Sequence, residues 1–145
     1  MKQFGLSAII LIMCSIMLFG CGNYRSERRL KTVADSFALT WFNWQYSKSI
    51  RFCTDSAQRH VIFMASNVNE EDVELLRNKE CDAVVERKEI EYVNDSTAIA
   101  FYDVSDFLHP DTIGKAAQKI DKAEAELTLK RVENTWKVAR LKTNL

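Results

Sequence analysis

Proline appears once in this 145-residue chain and glycine four times. That scarcity excludes collagen-like, linker-built and low-complexity proteins, which are rich in both. An excess of charge of one sign is missing too, since 20 basic side chains face 20 acidic ones. A nucleic-acid backbone calls for a net basic face, so nucleic acid is not an expected partner. Two isolated histidines, His60 and His109, and two distant cysteines give no short chelating spacing, so no metal is expected. Gly114 stands alone, without the glycine-rich loop that cradles a phosphate, and no cofactor is expected. No apolar run reaches the roughly 20 residues of a spanning helix. The longest, Phe4 to Phe19, holds sixteen and has no basic cluster flush against its end.

That run is nevertheless the most directional feature of the chain. Lys2 supplies a positive start, and Phe4 to Met17 is apolar except for Gly5, Ser7, Cys14 and Ser15. Leu18-Phe19-Gly20-Cys21 then stands where a cleavage site belongs. This tetrapeptide resembles the lipobox of bacterial lipoproteins, with Phe19 bulkier than the small residue usual before the glycine. The resemblance implies a signal peptide over residues 1–20, cleavage before Cys21 and acylation of its sulfur. The expected location is the cell envelope, lipid-anchored at the periplasmic face of the outer membrane. Two or three acyl chains suffice for stable anchoring, so the membrane is the expected partner through that anchor. Residues 21–28 read as a lipidated tether, and residues 29–145 as one domain with a single core. Cys53 and Cys81 are the thiols left over. In an oxidising compartment they can pair in a disulfide, closing a loop worth about 3 kcal/mol. The other reading is two inert thiols acting as small hydrophobes.

Leu30, Val33, Ala34, Phe37, Ala38 and Trp41 recur at helical spacing. Phe42, Trp44 and Tyr46 then make the end of that helix apolar nearly all round, so it must be clasped on more than one side. Ile50 to Cys53 reads as one helical turn. Asp55 with Gln58 resembles a capping box, followed by a stripe of Ala57, Val61, Met64, Ala65 and Val68. Asn69 is a candidate cap for a short helix carrying Val73, Leu75 and Leu76, with Glu70, Glu71 and Asp72 at its positive end.

From Asp82 the period switches to two. Segments 82–93 and 96–107 flank Asn94-Asp95, residues that tolerate a tight hairpin turn. Pairing across two turn residues sets Tyr92 opposite Thr97, Ile90 opposite Ile99, Lys88 opposite Phe101 and Glu86 opposite Asp103. This face is expected to point inward. Glu91 with Ala98, Glu89 with Ala100 and Arg87 with Tyr102 would form the wet face. In 121–132, Ala123, Ala125, Leu127 and Leu129 are expected inward. Glu133-Asn134 makes a second turn, with Trp136, Val138 and Arg140 inward on the last strand. Residues 108–120 form a long connection holding the single proline. The fold class is α+β, with N-terminal helices packed in the concave face of a curved four-stranded antiparallel meander.

Ala34-Asp35-Ser36-Phe37 with Trp41, then Val93 to Ala98, then Leu129 to Leu141 with Trp136-Lys137-Val138, resemble a nuclear transport factor 2-like domain. The layout is similar to small bacterial lipoproteins of that superfamily. The resemblance implies a cone with a pocket between sheet and long helix, used for catalysis, for ligand binding or for docking. It also implies dimerisation through the outer sheet face. Enzymes of the superfamily use a buried acid there, for which Glu86 and Asp103 are the candidates. An apolar ligand cavity would draw on Phe37, Trp41, Trp44, Tyr92 and Phe101. His60 is expected on the surface. The reading favoured by the residues is a non-catalytic module binding a small apolar ligand or a protein. The alternative is a pocket enzyme using Glu86 or Asp103 as general base.

Overall fold

The computed structural model describes residues 24–145; the lipobox and Cys21 lie outside the described residues. The described residues divide into two units, 24–32 and 33–145. In the first, residues 24–32 are helical, with Lys31 paired to Glu27 one turn earlier at 2.5 Å.

The second unit opens in helix (α1, residues 33–42). It continues through α2 (Tyr46–Ser49), a 3-10 turn (Ile50–Phe52), α3 (Asp55–Ser66) and α4 (Glu70–Arg77). Four strands follow: β1 (Val84–Asn94), β2 (Thr97–His109), β3 (Gln118–Val132) and β4 (Thr135–Thr143). They form one antiparallel, curved and unclosed sheet in the order β1-β2-β3-β4, the expected α+β meander.

Helix ends follow local chemistry, with two departures from expectation. Thr54, not Asp55, caps α3, its hydroxyl accepting from Ala57 N at 3.4 Å. The reciprocal capping box lies instead at α4, where Asn69 accepts from Asp72 N at 3.0 Å and Asp72 accepts from Asn69 N at 3.1 Å. That short helix buries Asp72 while Val73 and Leu75 stay exposed, the reverse of the expected stripe.

Across β2 and β3 each inward pair sets a small residue against a larger one: Ala98 with Leu129, Ala100 with Leu127, Tyr102 with Ala125 and Val104 with Ala123. All eight are buried. Alternating bulk lets the two strands fill one layer, and the alanines let the helices approach the sheet. Trp136 and Val138 extend the face onto β4, and Phe42 meets Phe107 edge-on at 5.0 Å. The link between the 3-10 turn and α3 docks on the sheet as well, with Cys53 bridged to Val138 and Thr54 N donating to Val138 O at 2.9 Å.

The inward parity of the first hairpin differs from the alternation read off the sequence. Glu86 does pair with Asp103 and Arg87 with Tyr102. Lys88 is then an extra residue, so Glu89 meets Phe101 and Ile90 meets Ala100. Ile90 and Tyr92 therefore share the buried face of β2, whereas Glu86, Phe101 and Asp103 share the outer one. A bulge adds one residue and flips every side chain beyond it. The same happens at Ala139, between the pairs Leu129–Val138 and Thr128–Arg140; Arg140 turns to solvent and Leu141 comes level with Leu127. The first turn is built on Asp95 and Ser96, with Asn94 Oδ1 accepting from Ser96 N at 2.9 Å, and needs no positive φ. Glu133 and Asn134 do take positive φ, 48° and 62°, as a tight hairpin turn demands.

Candidate functional site

Helix α1 ends in an unusual way. Gln45 N donates to Thr40 O at 2.8 Å and Trp44 N to Trp41 O at 2.9 Å, the double bond of a Schellman motif. The left-handed residue of that motif is normally glycine. Here it is Trp44, at φ 57°. Such a backbone costs an ordinary residue about 1–2 kcal/mol, and a bulky one is rarely found there. Its indole Nε1 compensates in part by donating to Leu108 O on β2 at 2.9 Å. The strain sets a large ring at the lip of a cavity, which is where stored backbone strain tends to serve function.

That cavity measures about 300 Å³. Trp41, Phe42, Trp44 and Tyr46 line it from the first helices, His60 and Met64 from α3, and Phe107, Leu108 and His109 from β2. Pro110 and Asp111 close one side, and Leu141 and Thr143 another. Trp41 is stacked near-parallel with Phe37 at 5.7 Å and with His60 at 5.6 Å. It meets Tyr46 edge-on at 5.2 Å, while Trp44 and Tyr46 lie 5.9 Å apart at 37°. A second cavity of about 270 Å³ shares Trp41, His60 and Leu141 and adds Phe37, Cys53, Val138 and Arg140.

Asp111, His109 and Tyr46 at the first cavity are each shifted by their surroundings. Asp111 accepts from Thr112 N (2.5 Å) and Oγ1 (2.9 Å) and from Gln118 Nε2 (2.7 Å), and these bonds, the backbone one first, lower its pKa. His109 is half-buried, and burial lowers its pKa against the opposing charge of Asp111. A carboxylate held anionic is a poor proton shuttle near neutrality. Burial raises the Tyr46 phenol, with the charge of Asp72 adding to it. The strap over residues 110–117 is tied down by Ala117 N donating to Asp72 Oδ1 at 2.8 Å and Asn69 Nδ2 donating to Lys115 O at 3.3 Å.

Of the residues expected to line a pocket, Phe37, Trp41 and Trp44 line these cavities. Tyr92 shares the buried register but stands half exposed near the hairpin tip. Phe101 lies on the outer face. Glu86 and Asp103 are neighbours, as the sequence register has them, yet they too face outward. Asp103 sits between Lys88 (3.4 Å) and Lys122 (3.6 Å). Neither acid lines the cavities above. His60 is exposed, as expected, although its ring packs on Trp41. Cys53 and Cys81 are unbridged. Cys53 is buried in the wall of the second cavity, its thiol donating to Ser49 O at 3.6 Å, whereas Cys81 is exposed beyond α4. Among the described residues no cluster of three His, Cys, Asp or Glu is placed to hold a metal ion.

Sequence reasoning missed a second polar cluster. Asp35 of α1 takes both carboxylate oxygens to Arg87 Nη1 of β1, at 2.6 and 2.5 Å, and Oδ1 also accepts from the Tyr102 phenol of β2 at 2.8 Å. Its one signal in the sequence is position: Asp35 lies three and seven residues before Ala38 and Phe42, on the edge of the buried stripe. The cluster bolts the helix to the sheet, and the face expected to be wet is therefore the one under the helices.

No protein-family model matches the sequence, and no curated protein matches it either. Its structure is similar to that of a ketosteroid isomerase-like protein from Erwinia carotovora atroseptica, with a TM-score of 0.57 over 80% of this chain and 92% of that one. The fold is nuclear transport factor 2-like. At 12% identity the likeness concerns the fold alone. A fold of this kind does not fix chemistry, which resides in the side chains placed on it. In this nuclear transport factor 2-like domain those side chains are aromatic rings around tethered polar groups.

Proposed function

We propose that this protein is a lipid-anchored envelope lipoprotein whose folded body holds a small, ring-bearing or apolar ligand without turning it over. The observation that carries the ligand reading is the aromatic-lined cavity of about 300 Å³ with Trp44 held at positive φ on its rim. Small-molecule sites are concave, mostly apolar and equipped with a few fixed polar groups, and they start near this size. Binding without turnover is supported by the state of the one carboxylate at the cavity, Asp111, which is already spoken for by three donors. The acids considered for an enzyme, Glu86 and Asp103, are directed to the other face of the sheet.

Native mass spectrometry of the full chain purified from membranes should reveal a small-molecule adduct, either retained or formed on adding indole. The adduct should disappear in Trp44→Ala. A chain that carries nothing and takes up no indole at millimolar concentration would sink the ligand reading. The anchor rests on the run from Lys2 to Cys21 and on nothing else. Palmitate labelling of cells should therefore vanish in Cys21→Ser, and label that persisted would overturn it.

A further inference from the structure

The cavity described above is asymmetric in charge. Its lining includes Asp111 and two histidines and no lysine or arginine. Trp44 also lines a smaller cavity of about 70 Å³, together with Asp111 and Asp72. Lys115 lines that smaller space, and its charge acts on Asp111 as the weakest of the influences that lower that carboxyl. Asp111 and Asp72 thus share that smaller cavity with Trp44, and Asp72 is 4% exposed, its carboxylate accepting from Asn69 N and Ala117 N. Burial, with the charge of Asp72 adding to it, raises the phenol of Tyr46, which lines the larger cavity. Tyr46 meets Trp41 at 70° and Trp44 at 37°, so these three rings lie inclined to one another.

Aromatic faces carry partial negative charge and attract cations, most strongly where water is excluded. Inclined aromatic rings, one carboxylate and no lysine or arginine among the lining residues are complementary to one kind of occupant. Resting on the ligand-cavity reading, we infer that the occupant is a small organic cation, a quaternary ammonium or amine, seated against Trp44 and Tyr46 with Asp111 as counter-charge. A neutral ligand of the same shape would gain the apolar contact and forgo the attraction. An anion would be repelled.

Choline and its uncharged carbon isostere 3,3-dimethylbutan-1-ol separate these terms. Both are water-soluble, and saturation-transfer NMR with the full chain in a neutral detergent reads each affinity. Choline should bind about tenfold more tightly than the isostere. Asp111→Asn, which keeps the shape of the side chain, should erase most of that preference and leave the isostere unchanged. Trp44→Leu should weaken choline more than the alcohol. Equal binding of the two probes, or tighter binding of the alcohol, would overturn the cation inference while the cavity reading stood. Failure of both at millimolar concentration would bring down the inference and the cavity reading together.

Discussion

Replacing Asp72 by alanine should lower the free energy of unfolding by about 3 kcal/mol. Two losses combine. The capping box at the start of α4 loses its carboxylate, so Asn69 N has no acceptor, and a lost cap costs about 1 kcal/mol. The buried Ala117 N then faces the space where Oδ1 stood, and an unsatisfied buried donor costs about 1–3 kcal/mol. Removing a buried charge returns part of its own desolvation cost, which is why the middle of the range is expected rather than the top. The effect should also be local. Ala117 and Lys115 are the residues through which the strap is tied to α4. In the variant, trypsin should cut after Lys115 well before the domain unfolds, while urea denaturation reports the global loss. A change below about 0.5 kcal/mol, with Lys115 still protected, would mean that water replaces the carboxylate without cost and that the strap is held elsewhere.

The second large effect is alkaline. Tyr102 is 1% exposed and Tyr46 7%, and burial lifts both phenols above their ordinary value near 10. For Tyr102 the hydrogen bond to Asp35 and the charge of Asp35 add to burial, and Arg87 opposes them. A raised folded pKa means that the folded chain keeps its proton after the unfolded chain has lost it. The stabilisation is therefore complete below pH 10 and is lost as pH rises above it. Each phenol contributes a slope of about 1.4 kcal/mol per pH unit in that range. Cys53 acts in the same direction from a lower starting point, since burial, partly offset by Lys137, pushes its thiol up to about 11. The urea midpoint should hold steady to about pH 9 and then fall steeply between pH 10 and 11. Tyr102→Phe and Tyr46→Phe should each make that fall shallower. A midpoint no steeper in the native chain than in the double variant would show that neither ring has to ionise on unfolding.

Features written in neighbouring residues were legible in the sequence. Ala34, Phe37, Ala38 and Trp41 announce α1 by spacing, and Ala123, Ala125, Leu127 and Leu129 announce β3 and its inward face. Glu133-Asn134 announces a hairpin whose two central residues do sit at positive φ. The pairs Glu86–Asp103 and Arg87–Tyr102 match the count from an Asn94-Asp95 turn only because the extra residues Lys88 and Val93 offset the shift of the turn to Asp95-Ser96. The candidate site was legible only in its ingredients. Trp41 and Trp44 stand out as large rings at the end of an apolar helix, and both line the cavity. Nothing local marks Trp44 as the left-handed residue of a Schellman motif, because glycine is the residue that ordinarily signals one. His60 reads as a surface histidine and is one, yet only the fold brings its ring onto Trp41.

What the sequence by itself determined about this protein is the order of its elements, their types and the meander. Each of these depends on periodicities of about 3.6 or 2 residues that a short window contains. What only the tertiary structure decided is which side of the first hairpin the helices cover, and hence where the acids and rings end up. Lys88, Val93 and Ala139 are single extra residues in their strands, and an extra residue leaves local propensity unchanged while reversing every side chain past it. The deciding contacts, Asp35 to Tyr102 and Trp44 to Leu108, join residues 67 and 64 positions apart. Bonds over that separation form only once the chain has collapsed, so no local pattern records them.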